Sequence, residues 1–118
     1  MELFIQRTTR INRRILADQK IVITHGDVIH SATLINCSEK GMYVKSGTSF
    51  PLDTILEIMI PVKDEALKVT VKVVRSFKTA DYEGTGVKLL NESLEYIDFL
   101  IDLYFGFVNF KTPYIKCS

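Results

Sequence analysis

The run from Leu67 to Val74 constrains the fold more than any other part of this chain. Leu67, Val69, Val71 and Val73 fall on one side of an extended backbone, and Lys68, Thr70, Lys72 and Val74 fall on the other. A period of two, with β-branched residues on the apolar side, is the pattern of a strand with one buried and one wet face. Such a strand needs neighbours, and the rest of the chain offers them.

From Lys20, the segment Ile21-Val22-Ile23-Thr24 is β-branched throughout, and His25-Gly26-Asp27 supplies turn chemistry. Ile29 to Ile35 resumes the extended pattern, so the two stretches predict a hairpin whose second strand ends at Asn36. Met42-Tyr43-Val44 begins a third strand, and Gly47 and Pro51 punctuate the loop after it. Leu56 to Val62 is a fourth, closed by the polar turn Lys63-Asp64-Glu65. Leu67 to Val74, extended by Arg75 to Lys78, is the fifth, and the turn Ala80 to Gly84 leads into a last strand, Thr85 to Leu90. Six short strands with short connections predict a mainly β protein, either a small antiparallel barrel or a sandwich.

The final element has a different period. Asn91 is a candidate N-cap with Glu92 in the first turn, and Leu94, Ile97, Ile101 and Tyr104 follow at helical spacing. Phe99, Leu100, Leu103 and Phe105 widen the apolar surface, and Gly106 is a reasonable stop. A helix this apolar can cover one mouth of a barrel. Its flank, continued by Phe107, Val108, Phe110, Tyr114 and Ile115, also suits a homodimer or partner surface, and the pattern leaves both readings open.

A chain of 118 residues without repeats, low-complexity tracts or linkers is expected to form one domain. The expected layout is a basic arm over residues 1–17, a β-barrel over 18–90, a helix over 91–106 and a tail over 107–118.

Several function classes are disfavoured. A net charge of +1 does not suit a general nucleic-acid coat, and the strands lack an evident row of exposed aromatics for base stacking. Cys37 and Cys117 form no CxxC pair, and neither His25 nor His30 stands at a zinc-like spacing from them, so no metal is expected. Sparse cysteine suits a reducing cytosol, and no apolar run approaches the ~20 residues of a membrane span. A cytoplasmic protein is expected. GxxxxGK(S/T), GxSxG and HExxH are absent, and Asp27 beside His25 and His30 lacks a nucleophile and an orienting group. The chain is not expected to be an enzyme.

Two stretches remain after these exclusions. Residues 1–14 hold Arg7, Arg10, Arg13 and Arg14 against Glu2 alone, a side-chain balance of +3 with no lysine. A guanidinium is a flat fork of donors that fits phosphate oxygens and the O6/N7 edge of guanine, which an ammonium does not match. The second stretch is Asn36-Cys37-Ser38-Glu39-Lys40-Gly41, where Asn and Ser offer short polar side chains and Gly41 is expected to turn the backbone sharply through positive φ. Together they predict a divided site for an anionic, guanine-bearing ligand.

Arg10-x-x-x-Arg14 followed by Asn36-x-Ser38-x-x-Gly41, set among six strands and a C-terminal helix, resembles the PilZ domain over roughly residues 7 to 105. That resemblance implies a six-stranded, split-barrel type of fold and cyclic di-GMP as the ligand, with no other cofactor. It implies that Arg10 and Arg14 bind phosphates and guanine edges from an arm that wraps over the barrel. Asn36 would hydrogen-bond a guanine edge where many members have Asp, Ser38 would contact guanine or phosphate, and Gly41 would shape the turn. Arg75 stands where members often place a residue packing on a guanine, and Gly86-Val87-Lys88-Leu89 resembles the last-strand segment, with Lys88 a secondary contact. Thr9 replaces a further Arg that helps some members hold a second, stacked ligand, which favours one ligand per site unless Arg13 or Arg7 substitutes.

The neutral amide of Asn36 lacks the charge-assisted bond of an Asp and implies modest affinity. The resemblance further implies a receptor that signals in trans to an unidentified protein effector in motility, secretion or biofilm machinery. The alternative is a nucleotide-independent interaction module of the same fold that acts through the apolar C-terminal helix.

Overall fold

A computed structural model describes residues 14–91 and 93–106 of the chain. The strands are β1 (Ile15–His25), β2 (Val28–Cys37), β3 (Gly41–Ser46), β4 (Ile55–Val62), β5 (Glu65–Lys78) and β6 (Glu83–Leu89), followed by helix α1 (Leu94–Tyr104). All neighbours pair antiparallel, and they close into a barrel in the order β1-β2-β3-β6-β5-β4. The six expected strands and the barrel are therefore present. Closure pairs every strand on both sides, but unevenly. The β4 and β5 strands pair continuously from Ile55↔Lys72 to Val62↔Glu65. By contrast, β1 meets β4 only at Val22↔Met59, Ile23↔Ile58 and Thr24↔Glu57.

The period-two pattern maps onto the inside of this cylinder. Ile21, Ile23, Ala32, Leu34, Met42, Val44, Leu56, Ile58, Ile60, Val69, Val71, Val73 and Val87 are buried in one cluster. Each large aliphatic side chain so buried stabilises the fold by roughly 1.5–3 kcal/mol before conformational entropy is counted. The two mouths are plugged differently. Phe50, from the loop after β3, fills one, with the rings of His25 and His30 edge-on at 5.8 and 5.1 Å. Helix α1 fills the other with Tyr96, Phe99 and Leu100.

Two boundaries and one helix face differ from the sequence expectation. Strand β1 begins at Ile15, inside the stretch expected as arm, because Ile15 pairs with Cys37 and Leu16 with Asn36. A bulge between Leu16 and Gln19, where Asp18 takes φ 58°, breaks the alternation and hides this start from the sequence pattern. The helix cap is Ser93 and not Asn91: the Ser93 hydroxyl oxygen accepts from the Tyr96 amide at 3.0 Å. The helix also turns a different side inward. Leu94, the first residue of the expected apolar stripe, is 80% exposed, whereas Tyr96, Phe99 and Leu100 are buried. Two apolar stripes overlap on α1, and the inward one carries the tyrosine whose hydroxyl finds a partner in the barrel. The expected stop at Gly106 is present, at φ 76°. The tail over 107–118, most of the arm and Glu92 lie outside the described residues.

Candidate functional site

The polar turn after β2 sits at the barrel end covered by α1. Its backbone is fixed from several directions. The Ser38 amide donates to the Gly41 carbonyl at 2.8 Å, and the Leu89 amide, from the end of β6, donates to the Lys40 carbonyl at 2.9 Å. Arg14 Nη1 donates to the Gly41 carbonyl at 3.2 Å, which ties the end of the arm to the turn 27 positions away. Tyr96 Oη donates to the Ser38 carbonyl at 2.7 Å from inside the barrel mouth.

Gly41 serves this turn for a reason other than the one its sequence position suggests. Its φ is not among the positive values. It opens β3, and a Cβ there would come closer than 3.0 Å to the Val87 carbonyl oxygen of the adjacent β6. Only a residue without a side chain lets β3 and β6 approach at this point.

Register then brings the other site residues onto one outer face. Asn36 on β2 stands opposite Tyr43 on β3, Tyr43 opposite Gly86 on β6, and Gly86 opposite Arg75 on β5. Gly41 stands opposite Lys88, which in turn opposes Lys72. Arg14, Asn36, Ser38, Gly41, Lys88 and Arg75 thus share one end and one flank of the barrel. Arg10, Arg13 and Thr9 lie outside the described residues. The floor is low along β6: the Arg75 stem lies over Gly86, with Cβ 3.3 Å from where a glycine Cβ would stand, and the Tyr43 ring lies over Gly84. Tyr43 meets Phe77 edge-on at 5.9 Å, and a hydrogen bond with Tyr82 raises its hydroxyl above the usual tyrosine range.

The chemistry of this surface suits an anion with hydrogen-bonding edges. Arg14, Lys88 and Arg75 are exposed cations. Ser38 is mostly buried, and Asn36 Oδ1 is buried with no hydrogen-bond partner among the described residues. A buried acceptor left unsatisfied costs free energy, and a donor delivered by a ligand recovers it. Behind the turn, burial pushes the Cys37 thiol up to about 12, against a smaller opposing effect of the Arg14 charge. Burial likewise raises Tyr96, with the neighbouring Cys37 adding to it. Both groups are neutral at physiological pH, so the turn rests on a dry, uncharged base. Among the described residues no group of His, Cys, Asp and Glu is arranged to hold a metal ion. No helix among them is long and apolar enough to cross a membrane.

Sequence reasoning missed Tyr96 and Tyr43. Nothing in the spacing ties Tyr96 to a turn 58 positions earlier. Tyr43 could have been found only from the register that sets it between Asn36 and Gly86.

No curated protein matches the sequence. Solved structures do resemble the fold. The Bacillus subtilis inhibitor of motility, MotI/DgrA, superposes with a TM-score of 0.62 at 16% identity, covering 75% of this chain and 46% of that one. The PilZ domain of YcgR from Escherichia coli, solved with cyclic di-GMP, gives a TM-score of 0.60 at 14% identity, covering 80% of this chain and 88% of that one. This chain therefore spans less than half the length of the first of these relatives. At such identities the likeness is one of fold. The family itself comes from the sequence: the PilZ domain model matches residues 8–106, nearly the whole barrel, turn and helix described above, and the chain belongs to the PilZ domain family.

Proposed function

We propose that this protein is a cyclic di-GMP receptor that closes its arginine arm over the ligand and passes the change to a partner protein. The observation that carries the reading is the gathering of Arg14, Asn36, Ser38 and Gly41 at one barrel end, with Asn36 Oδ1 buried and without a hydrogen-bond partner among the described residues. Family membership supports the same ligand, as does the cyclic di-GMP held by the PilZ domain of YcgR.

In this reading the Arg14 guanidinium holds the Gly41 carbonyl with one of its five donors and keeps the others for phosphate or a guanine edge. Arg10 and Arg13 reach the ligand from the same arm, Asn36 reads a guanine edge, and Ser38 contacts guanine or phosphate. Arg75 offers its stem or guanidinium as a surface for a base, and Lys88 adds positive charge from β6. Thr9 in place of a further Arg favours one ligand per site. Ordering the arm costs backbone entropy of roughly 1–2 kcal/mol per residue, which charge-assisted contacts offset. The molecule acts as a binder, without catalysis, in the cytoplasm. Motility is the first process to examine, given the fold shared with an inhibitor of motility.

A second reading, a nucleotide-independent interaction module or homodimer, is favoured by one observation. The outer side of α1 and its C-terminal end present Leu94, Tyr104 and Phe105 to solvent, Leu94 at 80% exposure. Calorimetry with cyclic di-GMP separates the two. A receptor shows saturable heat that persists under excess GTP and is lost in Arg14→Ala. A folded wild type that gives no heat, and a partner or dimer indifferent to the nucleotide, would leave the second reading standing.

A further inference from the structure

The turn that carries Ser38 is held by three bonds from other parts of the molecule, and they are not equivalent. The Leu89-to-Lys40 bond is a backbone bond continuing β6. The Arg14 bond comes from an exposed side chain that a ligand can compete for. The Tyr96 bond is the shortest at 2.7 Å, and it is made by a side chain that is only 1% exposed. A hydrogen bond in so dry a setting is electrostatically stronger than one in water, and solvent cannot replace it when it is lost.

Ser38 is fixed on both sides as a result. Its amide is tied to Gly41 and its carbonyl to Tyr96, so the peptide planes flanking its Cα have little freedom and the direction of its side chain is set. The residue before it, Cys37, is buried, and its thiol lies 4.0 Å from the Ile15 carbonyl oxygen at the start of β1. One position further back is Asn36, whose buried Oδ1 has no hydrogen-bond partner among the described residues. Tyr96 is itself well anchored: its amide is capped by Ser93 at 3.0 Å, and its ring packs against Phe99 with centroids 6.1 Å apart.

We propose that Tyr96 is a positioning residue for ligand binding: by holding the Ser38 carbonyl from inside the barrel, its hydroxyl presents Ser38 and the adjoining Asn36 in the orientation a cyclic dinucleotide requires. This rests on the reading of the turn as the ligand site. It adds a residue from α1, outside the arm and outside the turn, to the machinery that sets affinity. Occupancy then depends on preorganisation, because a turn already fixed loses little freedom when ligand arrives.

The test is Tyr96→Phe, which keeps the ring and removes the hydroxyl, beside Phe99→Leu, which loosens the helix seat and keeps the hydroxyl. Three quantities are read on each: amide exchange at Ser38 in the free protein, cyclic di-GMP affinity by calorimetry, and melting temperature. The expected result for Tyr96→Phe is about tenfold faster exchange at Ser38 and about tenfold weaker binding, the effect of leaving one buried carbonyl unpaired. Phe99→Leu is expected to lower the melting temperature while leaving affinity within about twofold. The proposal is overturned if Tyr96→Phe matches wild type in both exchange and affinity, or if Phe99→Leu weakens binding as much. It is also overturned if Tyr96→Phe fails to fold, since the hydroxyl then supports the whole molecule and not the turn. If wild type itself does not bind cyclic di-GMP, the functional reading falls, and exchange at Ser38 alone decides whether Tyr96 positions the turn.

Discussion

Replacing Gly41 with alanine tests the account of the site turn at its most sensitive point. The added methyl would stand closer than 3.0 Å to the Val87 carbonyl oxygen and 3.5 Å from the carbonyl carbon behind it. Neither atom belongs to a side chain that can swing away. Relief therefore requires the strands to separate at the Gly41↔Lys88 pair, which strains the neighbouring Leu89-to-Lys40 bond and shifts the Gly41 carbonyl that accepts from both Ser38 and Arg14. Overpacking of this kind costs about 1–3 kcal/mol, and the weakened backbone bonds put the expectation at the upper end, near ~3 kcal/mol. In urea, with a slope of about 1–3 kcal/mol per molar for a small domain, the midpoint falls by about 1–3 M. Gly47→Ala is the control, because a Cβ there meets nothing within 4 Å and its φ lies outside the left-handed region. It is expected to be neutral or to stabilise by about 0.4–1 kcal/mol through the unfolded chain. A Gly41→Ala protein within about 0.5 kcal/mol of wild type, a typical neutral change, would refute the close-approach argument.

Two further outcomes follow from the same geometry. Because burial raises the Cys37 thiol from 9.0 to about 12, the folded protein keeps a proton that the unfolded chain gives up. Stability is therefore full below about pH 9 and falls as pH rises toward about 12, with a slope of about 1.4 kcal/mol per pH unit from this group alone. Urea midpoints measured between pH 8 and 11 should decline less steeply in Cys37→Ala, and equal slopes would contradict the assignment. Ser93→Ala removes the cap of α1 and is expected to cost about 1 kcal/mol in thermal or urea unfolding, whereas Asn91→Ala should cost much less.

The strands were legible because a barrel wall has one dry and one wet face, and Leu67 to Val74 writes that difference directly into the residue order. Where the backbone departs from regular pleating the text becomes unreadable, as at the Leu16/Gln19 bulge that concealed the start of β1. The helix posed another difficulty. Apolar residues at 94, 97 and 101 and at 96, 99, 100 and 103 describe two overlapping faces, and periodicity cannot choose between them. Packing chose the face with Tyr96, whose hydroxyl needs a buried acceptor and finds one at Ser38. Asn36, Ser38 and Gly41 could be picked out as a polar turn. The purpose of Gly41 could not, because the atom that excludes a side chain there belongs to Val87, 46 positions later.

The short join between β1 and β4 bears on how this molecule moves. Opening free energies in proteins differ from segment to segment, and the most briefly paired seam of a cylinder is the expected place for local opening. The pairs Val22↔Met59 to Thr24↔Glu57 lie away from Ile15, so the stretch of β1 nearest the arm, beside the mouth plugged by α1, runs on without a β4 partner. The polar turn, Arg14 and the helix thus cluster at the barrel end where β1 and β4 are unpaired, while Phe50 closes the end where all six walls are joined. On the proposed reading, a ligand bound at the turn would act on the less fully paired end of the wall, with the joined far end as its fixed support.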